Sequence, residues 1–229
     1  MLKLENITVL FDDLKALDHV NMEFMEGKIT GIIGTNGSGK STLMKVMTKL
    51  LKPQEGSVYL DQQLIQDKKK DLFAYRQEVN MVFQNPEQQL FYTIAKDVIG
   101  MALENLGYPK EECEKRVQEA IELMDIKELQ DRPVQYLSYG QKKKVAIAGM
   151  LALKPRFLLL DEPTAGLDPK GRDQMAMIMK KLVSNGTSII VTSHDMDLMY
   201  DCCDYAYLIK KGQIMTQGTK YDVFQEEKL

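Results

Sequence analysis

Gly34-Thr35-Asn36-Gly37-Ser38-Gly39-Lys40-Ser41-Thr42 is the stretch on which the fold turns. It follows Lys28 to Ile33, which reads as a short strand, and precedes Leu43, Met44, Val46, Met47 and Leu50, which recur near helical spacing until Pro53 and Gly56 end the run. A glycine-rich turn between a strand and a helix, closing on Lys-Ser, is the arrangement that cradles a polyphosphate. The glycines let backbone N–H groups turn inward, the helix amino terminus adds its dipole, Lys40 reaches the outer phosphates and the Ser41 hydroxyl is offered to magnesium. The alternative is a glycine turn before an ordinary helix. The lysine, the hydroxyl pair and the strand-to-helix setting together argue against it.

Outward from this loop, Leu2 to Leu10 alternates apolar and polar as a half-buried strand with an irregularity near Asn6. Val20 to Met25 reads as another strand, joined to the one before the loop by a Glu26-Gly27 turn, and Ser57 to Leu60 as a further one. Val79 to Phe83 looks like a buried strand, and from Pro86 to about Ala152 the pattern is helical. Then come strand-like Phe157 to Leu160, helical Pro169 to Val183, strand-like Thr187 to Thr192, helical Asp195 to Cys203, and two short β runs around Lys211-Gly212. Strands alternating with helices imply an α/β fold with a mostly parallel sheet, which places ligands at the carboxyl ends of its strands.

Two of those strand ends carry chemistry. Phe157-Leu158-Leu159-Leu160-Asp161-Glu162 is an apolar strand closing on two carboxylates, one to organise magnesium beside the phosphate loop and one to polarise a water. His194 follows Ile189-Ile190-Val191-Thr192 and should emerge at the same edge, within reach of a terminal phosphate. Either residue taken alone could be only a turn or helix cap. His19 has no carboxylate or cysteine at metal-ligand spacing and reads as structural.

Composition narrows the classes. The chain has 229 residues, 30 basic and 33 acidic, for a net charge of -3, which speaks against a strongly basic nucleic-acid binder. Three cysteines, two of them adjacent at Cys202 and Cys203, suit free thiols in a reducing compartment. No apolar run approaches the roughly 20 residues of a membrane span, and the amino terminus has no signal core, so the chain is expected to stay where it is made.

Leu137-Ser138-Tyr139-Gly140-Gln141 adds the segment that names a family. Just ahead of a helix read over Lys142 to Leu153, it matches the LSGGQ signature with tyrosine at the first glycine position. With the segments above it resembles the nucleotide-binding subunit of an ATP-binding cassette (ABC) transporter over essentially the whole chain. The resemblance implies a phosphate-loop ABC ATPase fold: a mostly parallel core sheet with an antiparallel β subdomain over residues 1–85 and 153–229, and a helical insert over 86–152. It implies ATP and Mg2+ as cofactors. Phe11 becomes the aromatic stacked on adenine, its other reading being core. Gly34, Thr35, Asn36, Gly37, Ser38, Gly39, Lys40, Ser41 and Thr42 become the Walker A loop, and Gln84 the Q-loop. Ser138, Tyr139, Gly140 and Gln141 become the signature, Ala165-Gly166-Leu167-Asp168 the D-loop, and His194 the switch. Glu162, His194, Lys40 and Gln84 form the implied catalytic group, and Ser41, Gln84 and Asp161 the implied magnesium ligands. Tyr139 replaces a flexible glycine, which predicts competence with an altered fit. Thr35 stands where many members have proline, a neutral change.

A narrower likeness lies in Val82-Phe83-Gln84-Asn85-Pro86-Glu87-Gln88-Gln89-Leu90-Phe91 and in Lys142-Lys143-Lys144-Val145-Ala146-Ile147-Ala148-Gly149. These resemble the energy-coupling factor subgroup, whose members drive uptake of cobalt, nickel, biotin and other vitamins; ending at Leu229, the chain is similar to its shorter members. The resemblance implies a second ATPase subunit, in a homodimer or a heterodimer, with each ATP between the Walker A loop of one chain and the signature of the other. It also implies a membrane subunit docking near Gln84 to Met101, and a peripheral place on the cytoplasmic face of the membrane. Leu90, Phe91, Ile94, Val98 and Met101 form the docking surface in that reading, or else the core of the helical insert. Lys142 to Lys144 read as a solvated helix face. The alternatives are an ABC exporter ATPase and a soluble ABC ATPase acting on nucleic acid or ribosomes. A single cassette, a short insert and the near-neutral charge disfavour the second, so no nucleic-acid partner is expected.

Overall fold

The computed structural model describes residues 1–224. The chain runs through β1 (Leu2–Phe11), β2 (Leu14–Phe24), β3 (Ile29–Ile33), α1 (Lys40–Met47), β4 (Glu55–Leu60), β5 (Gln63–Leu64), α2 (Lys69–Glu78) and β6 (Val79–Val82). It continues through α3 (Ala95–Asn105), α4 (Lys110–Met124), α5 (Tyr139–Leu151), β7 (Phe157–Asp161), α6 (Pro169–Ser184), β8 (Ser188–Ser193) and α7 (Met196–Cys202), and closes with β9 (Tyr205–Lys210), β10 (Gln213–Thr219) and α8 (Lys220–Val223).

Two sheets result. The larger has six strands in the order β10-β9-β3-β8-β7-β6, parallel everywhere except the β9-β10 hairpin, and the smaller is antiparallel in the order β2-β1-β4-β5. Alternate residues of the parallel strands feed opposite cores. Ile33, Leu158, Leu160, Ile189 and Val191 pack against the helices of the 86–152 region, α6 and α7, whereas Ile32, Phe157, Leu159 and Ile190 pack against α1 and the antiparallel sheet. A sheet covered on both faces explains why these strands read as continuous apolar runs.

Register then fixes the site. Ile33 pairs with Ser193, Asp161 with Thr192 and Val82 with Leu160, so the chain leaves β3, β6, β7 and β8 at one sheet edge. The segments that follow carry Gly34 to Gly39, Gln84, Glu162 and His194.

Several sequence expectations need correction. The β2 strand begins at Leu14 rather than Val20, with His19 at φ 52° inside it, and α1 stops at Met47, leaving Leu50 exposed beyond it. The irregularity near Asn6 is real: its φ is 54°, and the β1 pairing shifts register between Leu4 and Ile7. The α2 helix was not expected, since it buries only Tyr75 and shows no apolar stripe. The signature helix starts at Tyr139, not Lys142, because Ser138 caps it in a reciprocal box with Gln141. All three cysteines are free and buried, and burial pushes the Cys203 thiol up to about 12.

Candidate active site

The phosphate loop owes its shape to two left-handed glycines. Gly37 has φ 79° with open space where a Cβ would stand, and Gly39, at φ 108°, passes so close to Ala16 that a Cβ would meet its carbonyl oxygen at 2.6 Å. Lys40, the first residue of α1, is buried, and its ammonium folds back to donate to the Gly34 oxygen at 2.8 Å and the Thr35 oxygen at 3.2 Å. The same ammonium stands 3.7 Å from Glu162 Oε1.

Glu162 is held from several sides. Its N–H donates to Thr192 Oγ1 at 3.0 Å, its φ is 48°, and its Oε2 meets His194 Nδ1 at 2.9 Å. Glu162 is buried while the His194 side chain is 62% exposed, so the histidine faces whatever enters the site. Thr192 Oγ1 also donates to Asp161 Oδ1 at 2.6 Å, which fixes one carboxylate oxygen of Asp161. Ser38 Oγ and Glu162 Oε1 are buried without a hydrogen-bond partner, one atom in the phosphate loop and the other on the strand-end carboxylate, each free to bond to an entering ligand.

Ser41, Gln84 and Asp161, the three residues assigned to magnesium, line one cavity of about 520 Å³ together with Tyr139 and Glu87. Among the described residues no cluster of three or more His, Cys, Asp or Glu side chains forms a metal cage. A hydroxyl, an amide and one carboxylate nevertheless fit magnesium that brings its other ligands as waters and phosphate oxygens.

The signature lies elsewhere. Ser138, Gly140 and Gln141 line a second cavity of about 550 Å³ with Gly166, Leu167 and Asp168, and no residue of the phosphate loop borders it. Asp168 caps α6 by accepting from the Gly171 N–H at 2.7 Å. Tyr139 borders both cavities and donates from its hydroxyl to the Gln84 carbonyl oxygen at 3.1 Å, while its ring lies against Gly166. Phe11 is 47% exposed, which removes the core reading for its ring.

One open alternative is decided here and one sequence reading fails. Val98 is 4% exposed and belongs to the core, so it cannot line a docking surface, whereas Phe91 and Tyr92 are exposed. Lys143 is not solvated: it is 2% exposed, because α5 is buried on most sides, and its ammonium donates to the Glu162, Pro163 and Ala165 oxygens at 3.1, 2.9 and 2.8 Å. Burial pushes that ammonium down to about 8, against the pull of the Glu162 and Asp161 carboxylates. Lys142 pairs with Glu87 at 2.6 Å. The signal available in the sequence was the apolar run from Val145 to Leu153, which marks α5 as a core helix.

A parallel sheet with a phosphate loop, an Asp-Glu strand end and a histidine at one edge defines a nucleoside triphosphate-binding domain. The sequence profile of the family described as ABC transporter matches residues 17–165, and the chain belongs to that family of ATP-binding proteins. It is 46% identical over 224 residues to the cobalt import ATP-binding protein CbiO of Salmonella typhimurium, covering 98% of this chain and 83% of that one. With the energy-coupling factor transporter ATP-binding protein EcfA of Methanocaldococcus jannaschii it shares 40% identity over 215 residues, 94% of this chain and 77% of that one. The solved structure of CbiO1 from Clostridium perfringens, described as part of the transporter complex CbiONQ, superposes with a TM-score of 0.92 at 37% identity, covering 99% of this chain and 91% of that one. No described helix is long and apolar enough to cross a membrane.

Proposed function

We propose that this chain is the ATP-hydrolysing, energy-coupling subunit of an importer of the energy-coupling factor type, taking up a metal ion or a vitamin. The likeness to CbiO and EcfA over nearly the whole chain supports the importer class. The observation that carries hydrolysis is the buried Glu162 carboxylate, held by His194 at 2.9 Å and beside Lys40 at 3.7 Å.

In this reading the loop N–H groups and Lys40 hold the ATP phosphates, Lys40 giving up its bonds to Gly34 and Thr35 as it does so. Ser41, Gln84 and Asp161 would hold magnesium, which would supply charge neutralisation on the phosphoryl group. Glu162 accepts a hydrogen bond from the attacking water and takes its proton as the water oxygen bonds to the γ-phosphorus and the bond to the β-phosphate oxygen breaks, releasing ADP and phosphate, and His194 keeps the carboxylate aimed. Phe11 stacks on adenine. Ser138 and Gly140 serve a nucleotide held by a second ATPase subunit, a role supported by their separation from the chain's own phosphate loop. Phe91 and Tyr92, with half-buried Leu90, Ile94 and Met101, form the docking surface for the membrane subunit at the cytoplasmic face.

The test is magnesium-dependent ATPase activity and gel-filtration mass with and without ATP, for wild type and Glu162→Gln. Hydrolysis by wild type, with a variant that binds ATP, gains mass and does not turn over, supports the reading. Full turnover by Glu162→Gln would overturn it.

A further inference from the structure

Lys143 is the most deeply buried charged side chain outside the phosphate loop and the catalytic strand ends. Its ammonium has three N–H groups and three carbonyl oxygens to receive them, those of Glu162, Pro163 and Ala165. These oxygens belong to the turn that carries Glu162, which also accepts from the Ala165 N–H at 3.1 Å and sits in the left-handed region at φ 48°. A non-glycine residue there is held by its surroundings rather than by its own preference. The tether comes from α5, whose first turn is the signature segment, and the Tyr139 ring lies 5.1 Å from the ammonium.

We propose that Lys143 is a positioning residue for hydrolysis: it fastens the Glu162 turn to the signature helix and so sets where the Glu162 carboxylate stands. Lys143 makes no contact with the loop that takes the phosphates, and it acts only through Glu162. A displacement of the signature helix is carried by three hydrogen bonds, one to the Glu162 carbonyl oxygen and two to those of Pro163 and Ala165, into the turn that holds the carboxylate. The inference rests on the reading of Glu162 as the group that activates water.

The experiment compares Lys143→Met, which has the length but no donor, with Lys143→Gln, which has two N–H donors, each alone and with Glu162→Gln. Steady-state ATPase, direct ATP binding by fluorescent-nucleotide titration and thermal melting are read for each. The expected result is a kcat lowered about 10-fold or more in Lys143→Met and less in Lys143→Gln, with ATP affinity within about 2-fold of wild type. In the Glu162→Gln background, Lys143→Met should add no further loss, since both act through one carboxylate. The proposal is overturned by unchanged kcat in both single variants, by losses that multiply with Glu162→Gln, or by a loss that melting attributes to unfolding. If Glu162→Gln itself turns over at the wild-type rate, the reading of Glu162 fails instead, and Lys143 loses its object with it.

Discussion

The Tyr139 hydroxyl donates to the Gln84 carbonyl oxygen at 3.1 Å, joining the first residue of the signature helix to the segment between β6 and α3. A glycine at position 139, as the LSGGQ signature has, offers no such bond. Tyr139→Phe should keep the ring on Gly166 and lose only the tether, so backbone hydrogen exchange around Gln84 should quicken while melting barely moves. Tyr139→Gly removes the ring as well and places glycine in the helix, at about 1 kcal/mol of stability. Unchanged exchange in both variants would show that the bond holds nothing.

Removing the His194 partner of Glu162 should slow hydrolysis without weakening ATP binding. His194→Ala is expected to lower kcat roughly 10- to 100-fold, less than the 10²- to 10⁴-fold or so expected for Glu162→Gln. Steady-state kinetics check the order; a reversed order would make the histidine, not the carboxylate, the group that matters most.

Lys40 holds the loop together in the free chain by bonding to Gly34 and Thr35. Magnesium-ATP at about 100 times its Kd should stabilise wild type by about 2.7 kcal/mol, read as an upward shift in melting temperature. Lys40→Ala should melt somewhat lower in the free form and show little nucleotide shift. An equal shift in the variant would remove Lys40 from phosphate binding.

Arg156 joins the two sheets. From just before β7 it pairs bidentately with Asp61, at the end of β4, and reaches Glu26, which follows β2. The guanidinium holds both carboxyls below their usual range. Their contribution to stability is therefore complete above the ordinary carboxylate pKa and lost as pH falls through their lowered folded values. Arg156→Ala should cost about 1 kcal/mol at neutral pH, the groups being partly exposed, and the gap from wild type should narrow steadily as pH falls below about 5. Denaturant melts at several pH values measure it, and a constant gap would rule out the linkage.

The parallel strands and the strand-end residues were legible because burial on both faces writes uninterrupted apolar runs, and the turn from apolar to Asp161-Glu162 marks a strand end. The phosphate loop was legible because its glycines and its lysine have no substitutes. Lys143 was not, because its partners are carbonyl oxygens, which every residue owns and no sequence pattern displays. The α2 helix is illegible for another reason: it buries one side chain, so it writes no apolar stripe, and no capping side chain marks its start, leaving only Asp71 in its first turn and Arg76 in its last. Val98 stays open between docking surface and core in the sequence because a residue at helical spacing can face either way, and only the packing of α3 against α5 settles it as core.

The two cavities, one bordered by Ser41 and Asp161 and the other by Ser138 and Gly140, have a kinetic corollary. If, as proposed, each ATP is finished by a second ATPase subunit, and that subunit is another copy of this chain, dilution alone silences the enzyme, and turnover per chain climbs with chain concentration until pairing saturates. A chain broken in only one of the two cavities is then not merely inert. Mixed with sound copies it leaves every mixed pair one complete ATP site, so total turnover falls in simple proportion to the damaged fraction when the two ATPs act independently, and more steeply only when one needs the other.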